Sequence, residues 1–190
     1  MATMGFVCAG YAKRTELNNT VTFSELTALN QGIKLEVKYD KVDTYLSAFD
    51  SKAEIDKFIT GATLDYECGY LTLEQEAELN GHNLTEDGIM SVATTDVAPA
   101  VAFYGVSVDK INGEKKYTAH VFLKGVFGDS DISIETADAG GNINYGTKTI
   151  SGSFTSDPLF ENKVEEKKTC NSEAAAMEFI KTVLGISETV

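Results

Sequence analysis

The chain is poor in the residues that carry most enzyme and metal chemistry: of 190 residues only two are histidine and three are cysteine. The histidines, His82 and His120, form no HxxH or HExxH spacing, so neither is expected to ligate a metal or act as a base. His82 follows a predicted helix end, where a cation is favoured. Cys8, Cys68 and Cys170 are far apart and odd in number, which excludes a CxxC couple and argues against a disulfide framework. All three are expected reduced and packed.

Basic residues are also scarce. There are 16 Lys and Arg against 29 Asp and Glu, a net charge of −13, and the imbalance is spread over both halves. No basic tail or patch is available to neutralise phosphates, so binding to a nucleic-acid backbone is disfavoured. The charge either repels DNA or keeps an abundant protein soluble. No apolar run approaches the ~18 residues of a membrane span, and the first residues lack the pattern of a signal peptide. The expectation is a chain made and kept in the cytoplasm, without a membrane partner.

Catalytic and binding motifs are equally thin. Asp129-Ser130-Asp131 starts like a calcium loop, but the glycine position holds Ile134 and the bidentate glutamate position holds Gly140. Gly128-Asp129-Ser130 is no nucleophile elbow, and Gly140-Gly141-Asn142 lacks a Walker lysine. No catalytic residue, cofactor or metal is expected.

What is present is strand periodicity in a chain of ordinary globular composition, 43% hydrophobic and 24% charged. One domain over 1–190 is expected. Ile33, Leu35, Val37 and Tyr39 alternate with Lys34, Glu36, Lys38 and Asp40, and Phe58, Ala62, Leu64, Tyr66 and Cys68 repeat the pattern. Between them, over 41–57, alternation stops, which predicts a long loop, functional or holding a short helix. Thr72 ahead of Glu74–Asn80 and Gly81 predicts a short capped helix. Asn83 to Pro99 is expected to be polar loop, with Pro99 able to open a strand.

Asn112-Gly113 between two β-rich runs, Val101–Ile111 and Tyr117–Phe127, is a hairpin signal. Apolar residues on both faces place that hairpin centrally. Ile132 and Ile134 predict a short strand, and Ile143 to Phe154 another. Mixed charge after Pro158 predicts a solvated edge strand or loop. Asn171 and Ser172 then cap an amphipathic helix over 172–184 that Gly185 ends.

Several segments in order resemble the major tail proteins of long-tailed phages with non-contractile tails. They are Met1-Ala2-Thr3-Met4-Gly5-Phe6, Tyr45-Leu46-Ser47-Ala48-Phe49, Thr60-Gly61-Ala62-Thr63-Leu64, Leu73-Glu74-Gln75-Glu76-Ala77-Glu78-Leu79, Pro99-Ala100-Val101-Ala102-Phe103-Tyr104-Gly105 and Ser172-Glu173-Ala174-Ala175-Ala176. The resemblance implies a β-sandwich or half-barrel with flanking helix. It implies subunits that form stacked hexameric rings, a tail tube around a tape-measure protein, capped by terminator and distal tail proteins, through which DNA passes unbound. It places the protein in the virion tail, assembled in the host cytoplasm. The N-terminal arm, 1–20, with Phe6 and Val7, and the loop over 41–57, with Tyr45, Leu46 and Phe49, are the contacts it implies between subunits. Another ring-forming tail or secretion-tube component, or a carbohydrate-binding β-sandwich, are the alternative readings.

Overall fold

A computed structural model describes residues 2–48, 51–128 and 146–186. The strands are β1 (Ala2–Leu17), β2 (Thr20–Phe23), β3 (Thr27–Leu29), β4 (Gly32–Ala48) and β5 (Ser51–Cys68). After helix α1 (Leu73–Asn80) come the short β6 (Asn83–Leu84) and β7 (Met90–Ser91), then β8 (Val101–Ile111) and β9 (Glu114–Gly128). The chain finishes with β10 (Lys148–Thr155), a 3-10 turn at Pro158–Phe160, β11 (Glu165–Cys170) and helix α2 (Glu173–Leu184). The protein is therefore mainly β with two short helices. The expected strand at Ile132 and Ile134, the residues Ile143 to Tyr145 and the Asp129-Ser130-Asp131 turn lie outside the described residues.

One antiparallel sheet runs β2-β1-β8-β9-β10-β5-β4, with β3 added to β1 and β11 to β9. Its centre is the β8–β9 hairpin, turned by Asn112 and Gly113 at φ 52° and 88°, the paired positive values that a two-residue hairpin needs. β9 is shared. Its Tyr117–Phe122 stretch pairs with β11 and its Gly125–Gly128 stretch with β10, so the sheet forks there. The β10-β5-β4 branch curls back over the inner face of β1 and β8: a Cβ on Gly105 would meet Leu35 of β4, and one on Gly32 would meet the Phe6 ring.

Between the two walls lies an inner core of Tyr11, Phe103 and Phe122 facing Leu64, Tyr66, Ile150 and Phe154, all buried. Its rings meet edge to face or tilted, with Phe127–Phe154 and Phe122–Phe154 both at 5.7 Å, the spacing at which aromatic quadrupoles attract. Gly125 leaves the space that the Phe154 ring fills. Gly125→Ala is therefore expected to cost about 1–3 kcal/mol, read as a lower denaturant midpoint at unchanged slope.

The opposite face of β8 and β9 presents Tyr104, Val106, Val121 and Leu123 to Ala176, Ile180 and Leu184 of α2. Apolar residues on both faces of the hairpin thus have two separate partners, as the sequence requires. Ser172 caps α2 by accepting from the Ala175 N–H at 3.2 Å, and Gly185 closes it at φ 65°. In α1, Thr72 and Gln75 form a reciprocal capping box and Gly81 stops the helix at φ 75°.

Two expectations are corrected. The segment 1–20 is not an arm: its first 16 described residues are β1, and Ala9, Tyr11 and Ala12 of that strand are fully buried. The segment 41–57 is not an irregular loop either, because β4 and β5 remain paired from Gly32↔Cys68 to Ala48↔Ser51. The described side chains of that segment, 41–43 and 56–57, are all exposed, so no buried face sorts them.

Candidate assembly surface

The β4–β5 pair leaves the sheet at a defined point. β10 supports β5 only as far as Thr155↔Gly61, and at that level the β4–β5 register shifts, Asp40 facing Gly61 and Lys41 facing Ile59. Thr60 is the extra residue of a bulge, the device that bends a strand and re-aims the residues beyond it. Past the bulge the ribbon has no third strand among the described residues, and isolated two-stranded ribbons are marginal in water.

The bulge also changes which side chains face out. The alternation of Ala62, Leu64, Tyr66 and Cys68 puts Phe58 on the buried side, but Thr60 interrupts the period and the sheet ends. Phe58 and Ile59 are 56% and 55% exposed, and Val42, directly opposite Phe58, is 48% exposed. Val42 and Phe58 share one face of the unsupported ribbon and Ile59 lies on the other, so apolar surface awaits a partner on both faces. Lys57 pairs with Asp43 at 3.4 Å beside them.

Of the residues expected at subunit contacts, Tyr45 and Leu46 lie further out on this ribbon, opposite Ile55 and Glu54. Phe49 lies outside the described residues. Phe6 and Val7 sit elsewhere, on β1, half-buried against their own subunit. The Phe6 ring packs edge-on against Tyr66 at 6.1 Å, and Val7 lies against the α2 side of the sheet. The structure therefore places four of the five, in two separate places. Val42, Phe58 and Ile59 are contact candidates that sequence reasoning missed; the consecutive Phe58-Ile59 pair inside an alternating run was the available signal.

Long backbone edges are open, among the described residues, at both ends of the sheet. β4 ends the sheet with no strand on its outer side, and β1 is paired there only through Ala9–Tyr11 with β3 and Arg14–Leu17 with β2, leaving Ala2–Cys8 bare. Such edges invite strand addition.

Polar groups inside the fold act as ties. The Glu165 carboxylate accepts from the Tyr39 hydroxyl through Oε2 and meets His120 Nδ1 at 2.6 Å through Oε1. His82 Nδ1 meets Asp96 at 2.8 Å, and Asp96 also accepts from the Ala93 N–H. Both histidines are thus held by carboxylates that sequence spacing did not reveal. Arg14 donates through Nε and Nη2 to Asp157, at 3.2 and 2.9 Å, and both side chains are nearly or wholly buried.

A cleft of about 510 Å³ between β1, β4 and β8 is bordered by Phe6, Leu35, Val37, Ser107 and His120. Ser107 forms no hydrogen bond to His120 among the described residues, and the His120 ring is held by Glu165. Cys68 and Cys170 are buried and Cys8 half-buried, all with free thiols. Burial, reinforced by Glu173, pushes the Cys8 thiol up to about 11, which leaves it a poor nucleophile. No cluster of three or more His, Cys, Asp or Glu able to hold a metal occurs among the described residues, and no described helix is long and apolar enough to cross a membrane.

No protein-family model matches the chain, and no curated protein matches it significantly.

Proposed function

We propose that the protein is a structural subunit that assembles with copies of itself into stacked hexameric rings, the tail tube of a long-tailed phage. The observation that carries this reading is the β4–β5 ribbon, which leaves the sheet at the Thr60 bulge and exposes Val42, Phe58 and Ile59 with no partner in its own subunit among the described residues. A ribbon on one side and bare edges elsewhere form a heterologous surface, the kind that closes into rings or extends into filaments. The resemblance of the sequence to phage tail proteins supplies the choice among such assemblies.

The charge distribution is compatible with a passive conduit. The outward face of β4 and β5 carries Lys34, Glu36, Lys38 and Asp65 in a ladder, with Lys34–Glu36 at 2.6 Å and Lys38–Asp65 at 3.1 Å. Its lysines are engaged by neighbouring carboxylates, and the chain as a whole is strongly acidic, so DNA finds little to bind. Sedimentation velocity over rising protein concentration tests the reading: species at six subunits and multiples of six are expected, whereas one monomeric boundary at every concentration would refute it.

A further inference from the structure

Tyr39 is the last residue of β4 before the bulge whose side chain reaches across the fold. It pairs with Ala62 one position below Asp40↔Gly61, where support from β10 ends. Its hydroxyl donates to Glu165 of β11, whose other oxygen holds His120 of β9. One carboxylate, its side chain 9% exposed, therefore ties together three strands at the base of the projecting ribbon.

We propose that Glu165 is an acid-operated latch: as a carboxylate it holds β4 to the β9–β11 pair, and on taking up a proton from solvent it releases the base of the ribbon. The groups that face it are Tyr39 from β4, His120 from β9 and Lys167 from its own strand. Burial pushes the Glu165 carboxyl up, but the hydrogen bonds from His120 and Tyr39, with the charges of His120 and Lys167, outweigh it and hold the group below the usual carboxylate range. Burial and the bond to Glu165 push the Tyr39 phenol up, so it stays a donor throughout.

Protonation acts twice. The bond to Tyr39 loses its charge assistance, which is about half of its strength. In addition, His120 and Lys167 stand directly opposite each other across the β9–β11 pair. Neutralising Glu165 removes the negative charge that both of them face. A carboxyl lower in the folded than in the unfolded chain adds stability that is present above its unfolded value and lost as pH falls through its folded value. The latch is thus closed at neutral pH and opens at the acid end.

That release of the ribbon would also loosen an assembly rests on the function proposed above; the latch itself does not. Hydrogen exchange measured by mass spectrometry on the full chain reads it, with β8 peptides as the internal reference for β4 peptides spanning 32–40. At neutral pH Glu165→Gln, which mimics the neutral acid, is expected to speed β4 exchange roughly tenfold. Tyr39→Phe should speed β4 alone and leave β11 at the wild-type rate, and it serves where the Gln variant does not fold. In the wild type the β4 to β8 ratio should hold from about pH 7 to about pH 5 and rise as the pH falls below about 4. A ratio that stays constant on acidification, or wild-type β4 exchange in Tyr39→Phe, overturns the latch. Sedimentation of the same samples reports assembly separately, so monomers with an intact latch would refute the proposed function alone.

Discussion

Val42→Ser, Phe58→Ser and Ile59→Ser together are expected to leave a folded monomer that no longer assembles. The three side chains are about half exposed on a ribbon that no third strand supports among the described residues, so their removal costs the monomer little. In an assembly each would be buried, and burying the exposed half of such a side chain stabilises by roughly 1 kcal/mol. Together the three sites, on both faces of the ribbon, weaken its contacts by several kcal/mol, and a ring would repeat those contacts in every subunit, so loss should be complete at working concentrations. Unchanged far-ultraviolet circular dichroism and unfolding midpoint, with loss of every species above monomer, is the expected result. Assembly at the wild-type concentration would show that the ribbon is not the contact. Tyr45→Ser and Leu46→Ser, further along the same ribbon, are expected to act in the same direction.

Asp157→Ala is expected to produce the largest loss of stability. Asp157 is fully buried and accepts two hydrogen bonds from Arg14, whose side chain is 3% exposed. Its other oxygen accepts from the Leu159 N–H at 3.0 Å and starts the 3-10 turn. Removing the carboxylate strands a guanidinium whose remaining carboxylate partner is Glu16, at 2.8 Å and on the solvent side. Breaking a buried pair from one side costs about 3–5 kcal/mol, which lowers Tm by roughly 10–15 °C in a chain of this size. The double variant Arg14→Met with Asp157→Leu should lose much less, because no charge is left buried. Equal losses in the single and double variants would show that the site is held by packing and not by the ion pair.

These two sites also mark what the sequence could and could not show. The β8–β9 hairpin was legible because Asn112-Gly113 dictates its own backbone and both flanking runs are β-prone. Helix α2 was legible because Ser172 and Gly185 bracket an apolar stripe that the sheet then buries. Both signals are local. The Arg14–Asp157 pair joins residues 143 positions apart, and His120 meets Glu165 across 45. Nothing near either acid in sequence announces its partner, and the mixed charges around Glu165 suggested only solvent. The fork in β9 that brings β11 under His120 is set by long-range register, which alternation does not encode.

The ribbon was half legible. Loss of alternation over 41–57 marked the segment as unlike its neighbours, and the resemblance implied a contact there. Its β pairing was hidden because its described side chains are all exposed, and without a buried face a strand has no reason to alternate. Alternation alone puts Phe58 on the wrong side for a related reason: the Thr60 bulge inserts one residue, and one residue is enough to exchange the two faces of a strand.

Self-assembly through this ribbon is the central claim, and electron microscopy of the purified full-length protein tests it most directly. Six-fold rings, stacked into tubes at higher concentration and absent from the Val42, Phe58 and Ile59 triple-serine variant, are the predicted result. Fields that show only single small particles at every concentration, with wild type and variant alike, would contradict it.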